Sequence, residues 1–477
     1  MPLRLPSRRL VALLCAQWLL ASCSATAQAL WPAPKPQPWP ASPPRVLPDF
    51  QAPSATHCTG PIRTREVPGS EGARQEGRFA PDALGKAAPE RSARAEDRMR
   101  EAPATAAPLA QPAPAAPALR HESAAPQFAP PARPQEPVTA GVVDDNADFA
   151  AYLAFRDRTQ VTHRPRDVRE RYLLQVRDAR GRPVGDAEVA VQAASGYAMW
   201  ARTDAGGRAW LHPDAFDPAA SSHYQVLVRK DGREARAPLA RGQKSAVDVR
   251  LDAPPAAPRA RLDLVFLIDA TGSMADEIDK LKASLRTITA QVARLPSQPD
   301  LCLGLVAYRD RGDAFLLRSH DLSNDVDAFL RQALLPLQAA GGGDYPEAMN
   351  EALHETVHEL AWRGSGTSRL VILLADAPPH LDYGGPQYDD DMLAALGKGI
   401  KVFSVGASGL DRQGEVIQRQ IAQYTGGKFV FLTYAQADRP SSGPGRETVH
   451  DVHNYSVDTL DRLVVRLVTE ELAQAGN

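Results

Sequence analysis

From Arg261 onwards, continuous apolar runs alternate with stretches of helical spacing. "RLDLVFLID" (261–269), "LCLGLVAY" (301–308), "RLVILLAD" (369–376), "KVFSVGAS" (401–408) and "KFVFLTY" (428–434) are apolar almost throughout. Strands covered on both faces read this way. Between them, "MADEIDKLKASLRTITAQVARL", "PEAMNEALHETVHELAW", "DMLAALGKGI", "EVIQRQIAQYT" and "DTLDRLVVRLVTEELAQ" repeat apolar residues three and four apart. The alternation predicts an α/β domain over 260–477, a doubly wound and mainly parallel sheet with helices on both faces. Upstream the period shortens to two. "RYLLQVRDARGRPVGDAEVAVQAASGYAMWARTDAGGRAWLHPDAF" alternates apolar and polar residues, with turn signals at Asp178–Gly181 and Asp204–Gly207. Short strands at that spacing predict a smaller all-β sandwich over 169–252. Before it, "DNADFAAYLAFRDRTQ" predicts a short helix within a connector over 141–168.

The first 140 residues carry no such period. Many of the chain's 42 prolines are bunched there, mixed with Ala, Arg and Glu. A stretch of this kind buries too little apolar surface to offset its chain entropy, so 23–140 is expected to be a long disordered tether. As a coil, its roughly 115 residues would reach about 60 Å, and prolines would extend it further. The segment over 1–22 reads as a targeting leader: Arg4, Arg8 and Arg9 precede the apolar "LVALLCAQWLLA". It ends in Leu20-Ala21-Ser22-Cys23, which resembles the lipobox of bacterial lipoprotein signals. That resemblance implies cleavage before Cys23, lipidation of its thiol and, with Ser24 following, an exported protein anchored to the outer membrane. Cleavage after Ala25–Ala27 is the rival reading.

Charge changes little. Lys plus Arg (55) nearly balances Asp plus Glu (57), so no basic field points to nucleic acid. Export permits disulfides, but only Cys58 and Cys302 remain once Cys15 and Cys23 are set aside. Cys58 lies in a Pro-rich stretch and Cys302 opens a strand, which favours a buried free thiol at 302 over a bridge.

Ligands of doubly wound folds bind at the carboxyl ends of the strands. Three oxygen-rich loops fall there: "DATGSM" with Asp269, Thr271 and Ser273, "GGGDYPE" (341–347) with Asp344, and Asp376 at the end of "VILLAD". Carboxylates and hydroxyls without His or Cys suit a hard divalent cation. Asp344 and Glu347 also form D-x-x-E, a capping box for a helix opening at Pro346. The D-x-T-x-S string with Asp344 and Asp376 resembles the metal-ion-dependent adhesion site of von Willebrand factor type A domains. The resemblance implies Mg²⁺, with Mn²⁺ or Ca²⁺ open, held by Thr271 and Ser273 directly and by Asp269 and Asp376 directly or through water. It implies a protein partner that offers an acidic side chain, no small-molecule substrate and no catalysis. The family usually has threonine where Asp344 stands, which leaves that ligand in question. Upstream, "GRPVGDAEV" and "TDAGGRA" resemble carboxypeptidase-regulatory-like, transthyretin-like domains, and nothing in them looks catalytic.

Two motifs compete for attention. Arg311-Gly312-Asp313 is the tripeptide that integrins recognise, but it lies where a tight turn wants Gly and Asp. His354-Glu355-Thr356-Val357-His358 fits H-E-x-x-H, the zinc-hydrolase signature. Met349, Leu353, Val357 and Leu360 make one apolar stripe on that helix, with both histidines at its edge. No third zinc ligand follows at the usual offset, so hydrolysis stands only as an alternative, beside an envelope scaffold in which the metal is purely structural.

Overall fold

The computed structural model describes residue 58 and residues 61–69, 136–253, 260–364 and 366–473. The leader, Cys23, most of the expected tether and most of the stretch preceding Arg261 lie outside the described residues.

Two short strands lead, β1 (Thr64–Val67) and β2 (Thr139–Val143). Helix α1 (Phe149–Arg158) follows, its first turn closed by the Asp148 carboxylate, which accepts from the Ala151 amide. Strands β3 (Tyr172–Arg177), β4 (Glu188–Ala193), β5 (Ala198–Arg202), β6 (Arg208–Leu211), β7 (His223–Lys230), β8 (Arg233–Ala240) and β9 (Val247–Arg250) come next. The α/β alternation then runs β10 (Arg261–Asp269), α2 (Ala275–Ala293), β11 (Asp300–Tyr308), β12 (Leu317–Ser323), α3 (Val326–Phe329) and α4 (Met349–His358). It continues through β13 (Thr367–Ala375), α5 (Tyr388–Lys398), β14 (Ile400–Gly406), α6 (Arg412–Tyr424), β15 (Phe429–Thr433), β16 (Val457–Thr459) and α7 (Leu460–Ala473). Among the described residues, no helix is long and apolar enough to cross a membrane.

The large sheet has the order β1-β12-β11-β10-β13-β14-β15-β2-β16. Its five middle strands are parallel, and antiparallel strands flank them on both sides. Alternation along β10 divides the core. Leu262, Leu264, Phe266 and Ile268 pack with Ile278, Leu281, Leu285 and Ile288 of α2 and with α7. Val265 and Leu267 face the other way, towards Met349, Leu353 and Val357 of α4 and Ile417 and Ile421 of α6. A strand buried on both faces has no polar side, which is why its sequence runs apolar without a break. The stripe expected on α4 is buried, but the helix begins at Met349, after Ala348, and not at Pro346.

Residues from the expected tether take part in this sheet. β1 pairs antiparallel with β12, from Thr64 opposite His320 to Val67 opposite Leu317. Beyond β1, the Gly69 carbonyl accepts from the Gly312 amide at 2.8 Å. β2, at the junction of expected tether and connector, lies between β15 and β16. Both segments are short and carry too few apolar residues to announce a strand. The partner strand supplies the missing half of the pattern. The expected free thiol is likewise corrected. Cys58 and Cys302 are joined in a disulfide with Cα atoms 5.9 Å apart, and Cys58 is as buried as the strand it is tied to. Their sequence environments differ, yet pairing of β1 with β12 brings Cys58 alongside β11.

The smaller β region forms two sheets, β6-β3-β9 and β5-β4-β7-β8, which share one apolar cluster. That cluster takes in Tyr152 and Phe155 of α1, Met392 and Leu396 of α5, and Val416 and Tyr424 of α6. An ion network continues the join. Asp186 meets Arg202 at 3.1 Å and Arg369, at the start of β13, at 3.0 Å. Although burial opposes ionisation of Asp186, the two guanidiniums hold its carboxyl below the usual carboxylate range.

Two outcomes follow. Cys58→Ser is expected to destabilise the chain by about 2–4 kcal/mol, because the bridge closes a long loop. In denaturant melts, a reductant should bring the parent down to the variant and leave the variant unmoved. Asp186→Asn should destabilise the fold by about 1–3 kcal/mol by weakening the pairing that Arg202 and Arg369 share, while Arg202 keeps Glu188 at 3.0 Å. Since the Asp186 carboxyl is lowered in the folded state, its contribution is present above a pH of about 4 and fades as pH falls through its folded value. The gap between parent and variant in pH-dependent melts should therefore close in acid.

Candidate functional site

β10 is followed by a tight turn held by its own side chains. Oδ1 of Asp269 accepts from the Thr271 amide at 3.0 Å and from its hydroxyl at 2.7 Å. The Thr271 and Ser273 hydroxyls are 3.0 Å apart. Asp269 and Thr271 are fully buried, whereas Ser273 is exposed. Backbone bonds fix the turn against the second loop: Gly272 N donates to Gly341 O, and Ala340 N donates to Ala270 O.

The second loop arrives through glycines. Gly341 and Gly342 both have positive φ, 76° and 71°. A Cβ on Gly341 would lie 2.3 Å from the Asp313 carboxylate, and one on Gly342 would lie 2.7 Å from Glu347 Oε1 and 3.0 Å from Thr271 Cβ. Backbone conformation and close approach together require glycine. Asp313 Oδ2 accepts from the Gly342 amide at 2.8 Å and so anchors this loop. The third loop is met at Glu347, whose amide donates to Pro378 O while its carbonyl accepts from His380 N. Asp376, next after β13, lies beside Ser273 and close to Asp269.

Three carboxylates thus share one buried region: Asp269, Asp376 and Glu347 are 0%, 4% and 3% exposed. Asp269 Oδ2, Asp376 Oδ1 and Glu347 Oε2 are buried and have no hydrogen-bond partner among the described residues. Burial, partly opposed by the Thr271 hydrogen bonds, pushes Asp269 up to about 6. Burial and then the Asp269 charge push Asp376 up to about 7. Glu347 rises to about 9 through burial and the charges of Asp269, Asp310 and Asp376. Burial, and then Asp269, also lifts the Tyr308 phenol. Buried polar atoms are almost always paired, so three buried carboxyl oxygens without a hydrogen bond mark a place that suits a cation. The donors are all oxygen, which fits a hard divalent ion.

Of the expected residues, Asp269, Thr271, Ser273 and Asp376 come together, and Asp344 lies in the second loop. It is exposed, and its carboxylate lies with Asp310 and His380, one ligand atom of each within 4.8 Å of the others. It does not cap α4 either, since Ala348 holds the cap position without a side-chain bond. Glu347, read from the sequence only as half of a capping box, is the loop's buried acid. The three glycines before it were the available sign that the chain folds tightly back onto the first loop.

The two competing motifs are otherwise engaged. In Arg-Gly-Asp, Asp313 accepts from the Asp310 and Gly342 amides, while Arg311 pairs with Glu351 at 3.0 Å and stacks on Tyr383. In H-E-x-x-H, Glu355 does not accompany the histidines. It is buried and bound at 2.7 Å by both Arg65 of β1 and the Ser319 hydroxyl. The base arrangement of a zinc hydrolase is therefore not formed.

An α/β module with an acidic site at the carboxyl ends of its parallel strands is the class that these features define. Residues 263–383 match the family described as von Willebrand factor A domain, and the chain contains such a domain there. Curated relatives include an ariadne-like RING finger protein of Acanthamoeba polyphaga mimivirus, 31% identical over 122 residues, and the alpha-protein kinase vwkA of Dictyostelium discoideum, 30% over 120. A third is von Willebrand factor A domain-containing protein 7 of Mus musculus, 34% identical over 116 residues. These matches cover 26%, 25% and 24% of this chain but only 12%, 19% and 12% of the relatives. Among solved structures, the pilus adhesin SpaC from Lactobacillus rhamnosus GG in its open conformation aligns with a TM-score of 0.28 at 16% identity, covering 44% of this chain and 31% of the adhesin.

The acid cluster makes a pH prediction. Carboxyls raised in the folded state hold protons there that the unfolded chain has already lost. Their contribution is present in full below about pH 4 and is lost as pH rises through about 6, 7 and 9. Chelator-treated protein should therefore melt at falling temperature as pH rises from 5 to 9. Asp376→Asn should flatten the slope, and saturating Mg²⁺ should oppose it.

Proposed function

We propose that this chain is an exported, lipid-anchored protein of the bacterial cell envelope that captures a protein partner through a divalent cation, without catalysis. The single observation that carries the reading is the set of buried carboxyl oxygens of Asp269, Asp376 and Glu347 that have no hydrogen-bond partner among the described residues, in the region of the Thr271 and Ser273 turn. When bound, the cation would supply a Lewis-acidic position for an acidic side chain of the partner. The protein's residues do the rest. Asp269 orients Thr271 through two hydrogen bonds, and Asp313 holds the glycine loop that brings Glu347 to the turn. Ser273 stands at the solvent-facing mouth. Three carboxylates offset more of the ion's charge than one or two would, which favours Mn²⁺ or Ca²⁺ alongside Mg²⁺. The leader and Cys23 support the envelope location, with the two small β sheets forming a sandwich against the binding module.

Purified chain should retain a partner from envelope extract in Mg²⁺ or Mn²⁺ and release it on chelation. Asp269→Ala should abolish capture while the circular dichroism of the folded protein stays unchanged, and Glu347→Gln should weaken cation binding at least tenfold. Capture that survives both chelation and Asp269→Ala would overturn the reading.

A further inference from the structure

The helix that leaves the acidic site carries a second cluster of different chemistry. His354 and His358, one turn apart on α4, both face Asp391 of α5. His354 Nδ1 lies 2.9 Å and His358 Nε2 3.0 Å from the same oxygen, Asp391 Oδ1. One ligand atom of each residue lies within 4.8 Å of the other two. The imidazole centroids are 4.4 Å apart. Asp391 is only 3% exposed, and its second oxygen, Oδ2, is buried without a hydrogen-bond partner among the described residues. The histidine side chains are 44% and 32% exposed, so the cluster opens to solvent on one side.

We infer that His354, His358 and Asp391 form a transition-metal site of the zinc class, separate from the acidic site and independent of Glu355. Two imidazole nitrogens and a carboxylate oxygen are a ligand set that zinc accepts and that Mg²⁺ or Ca²⁺ does not favour. At bond lengths of about 2.0–2.1 Å, tetrahedral zinc holds its ligands roughly 3.3 Å apart. The observed separations of 2.9 and 3.0 Å need only a small widening to reach that value. The solvent side leaves a fourth position for water or an outside ligand. Glu355, which an H-E-x-x-H hydrolase would use as its base, points to Arg65 and Ser319 instead. The site therefore binds metal without the hydrolytic base. Its occupancy ties α4, which follows Glu347, to α5, whose Met392 and Leu396 belong to the apolar cluster of the smaller β region.

The test is a zinc titration of untagged full chain held in excess Mg²⁺, followed by calorimetry and by the histidine imidazole resonances. One zinc per chain should bind, and the signals of His354 and His358 should shift together. His354→Gln and His358→Gln, at partly exposed positions that should fold, are each expected to weaken binding by at least the about 10–100-fold that loss of a supporting group causes. Asp391→Asn should do the same. Asp269→Ala and Glu355→Gln should leave zinc binding unchanged. Zinc affinity indifferent to both histidine variants would overturn the assignment, as would an equal loss in Glu355→Gln. Loss in Asp269→Ala alone would place the zinc in the acidic site instead.

Discussion

The arrangement turns on keeping negative charge where water cannot reach it. Asp269 closes a strand buried on both faces, and its second oxygen has no hydrogen-bond partner among the described residues. An isolated carboxylate in such a place is strongly disfavoured unless it takes a proton or a cation. The surroundings are built to hold it there all the same. Its other oxygen is satisfied by Thr271, the turn is tied to the glycine loop, and that loop is tied to Asp313. The sheet supplies the rigidity, with β10 between two parallel neighbours and apolar layers on either face. A site on a looser frame would let these acids swing into solvent and ionise singly.

Much of this was legible in the chain. Continuous apolar runs identified the parallel strands, because strands covered on both sides have no polar face to show. The first loop was legible because D-x-T-x-S follows directly on β10, so one short string fixes three side chains. Glu347 was not. Its role depends on how far Gly341 and Gly342 let the backbone fold back, and positive φ is a property of the assembled loop. Nor did position along the loop decide which of its two acids, Asp344 or Glu347, would be buried.

β1 and the disulfide were missed on different grounds. A four-residue edge strand gains its order from the partner it pairs with, and "TREV" alone carries almost no period. The Cys58–Cys302 bond spans 244 residues, so no local pattern could announce it. The H-E-x-x-H string shows the converse. Its spacing was right for two histidines to converge, and they do, but on Asp391 of another helix. The glutamate between them faces the sheet edge, where Arg65 reaches it from β1. Helical periodicity separates neighbours at i and i+1 by about 100°, so one motif can serve two faces with unrelated partners.

The disulfide also sets how the molecule answers a pull. Tension applied on the amino-terminal side of Cys58 would pass through a covalent bond into β11 and then into its parallel neighbour β10, which ends at Asp269. β1 lies downstream of that entry point and is shielded from being peeled off its edge. Load arriving from that direction thus enters the sheet at β11, which is paired on both sides, and not at its edge.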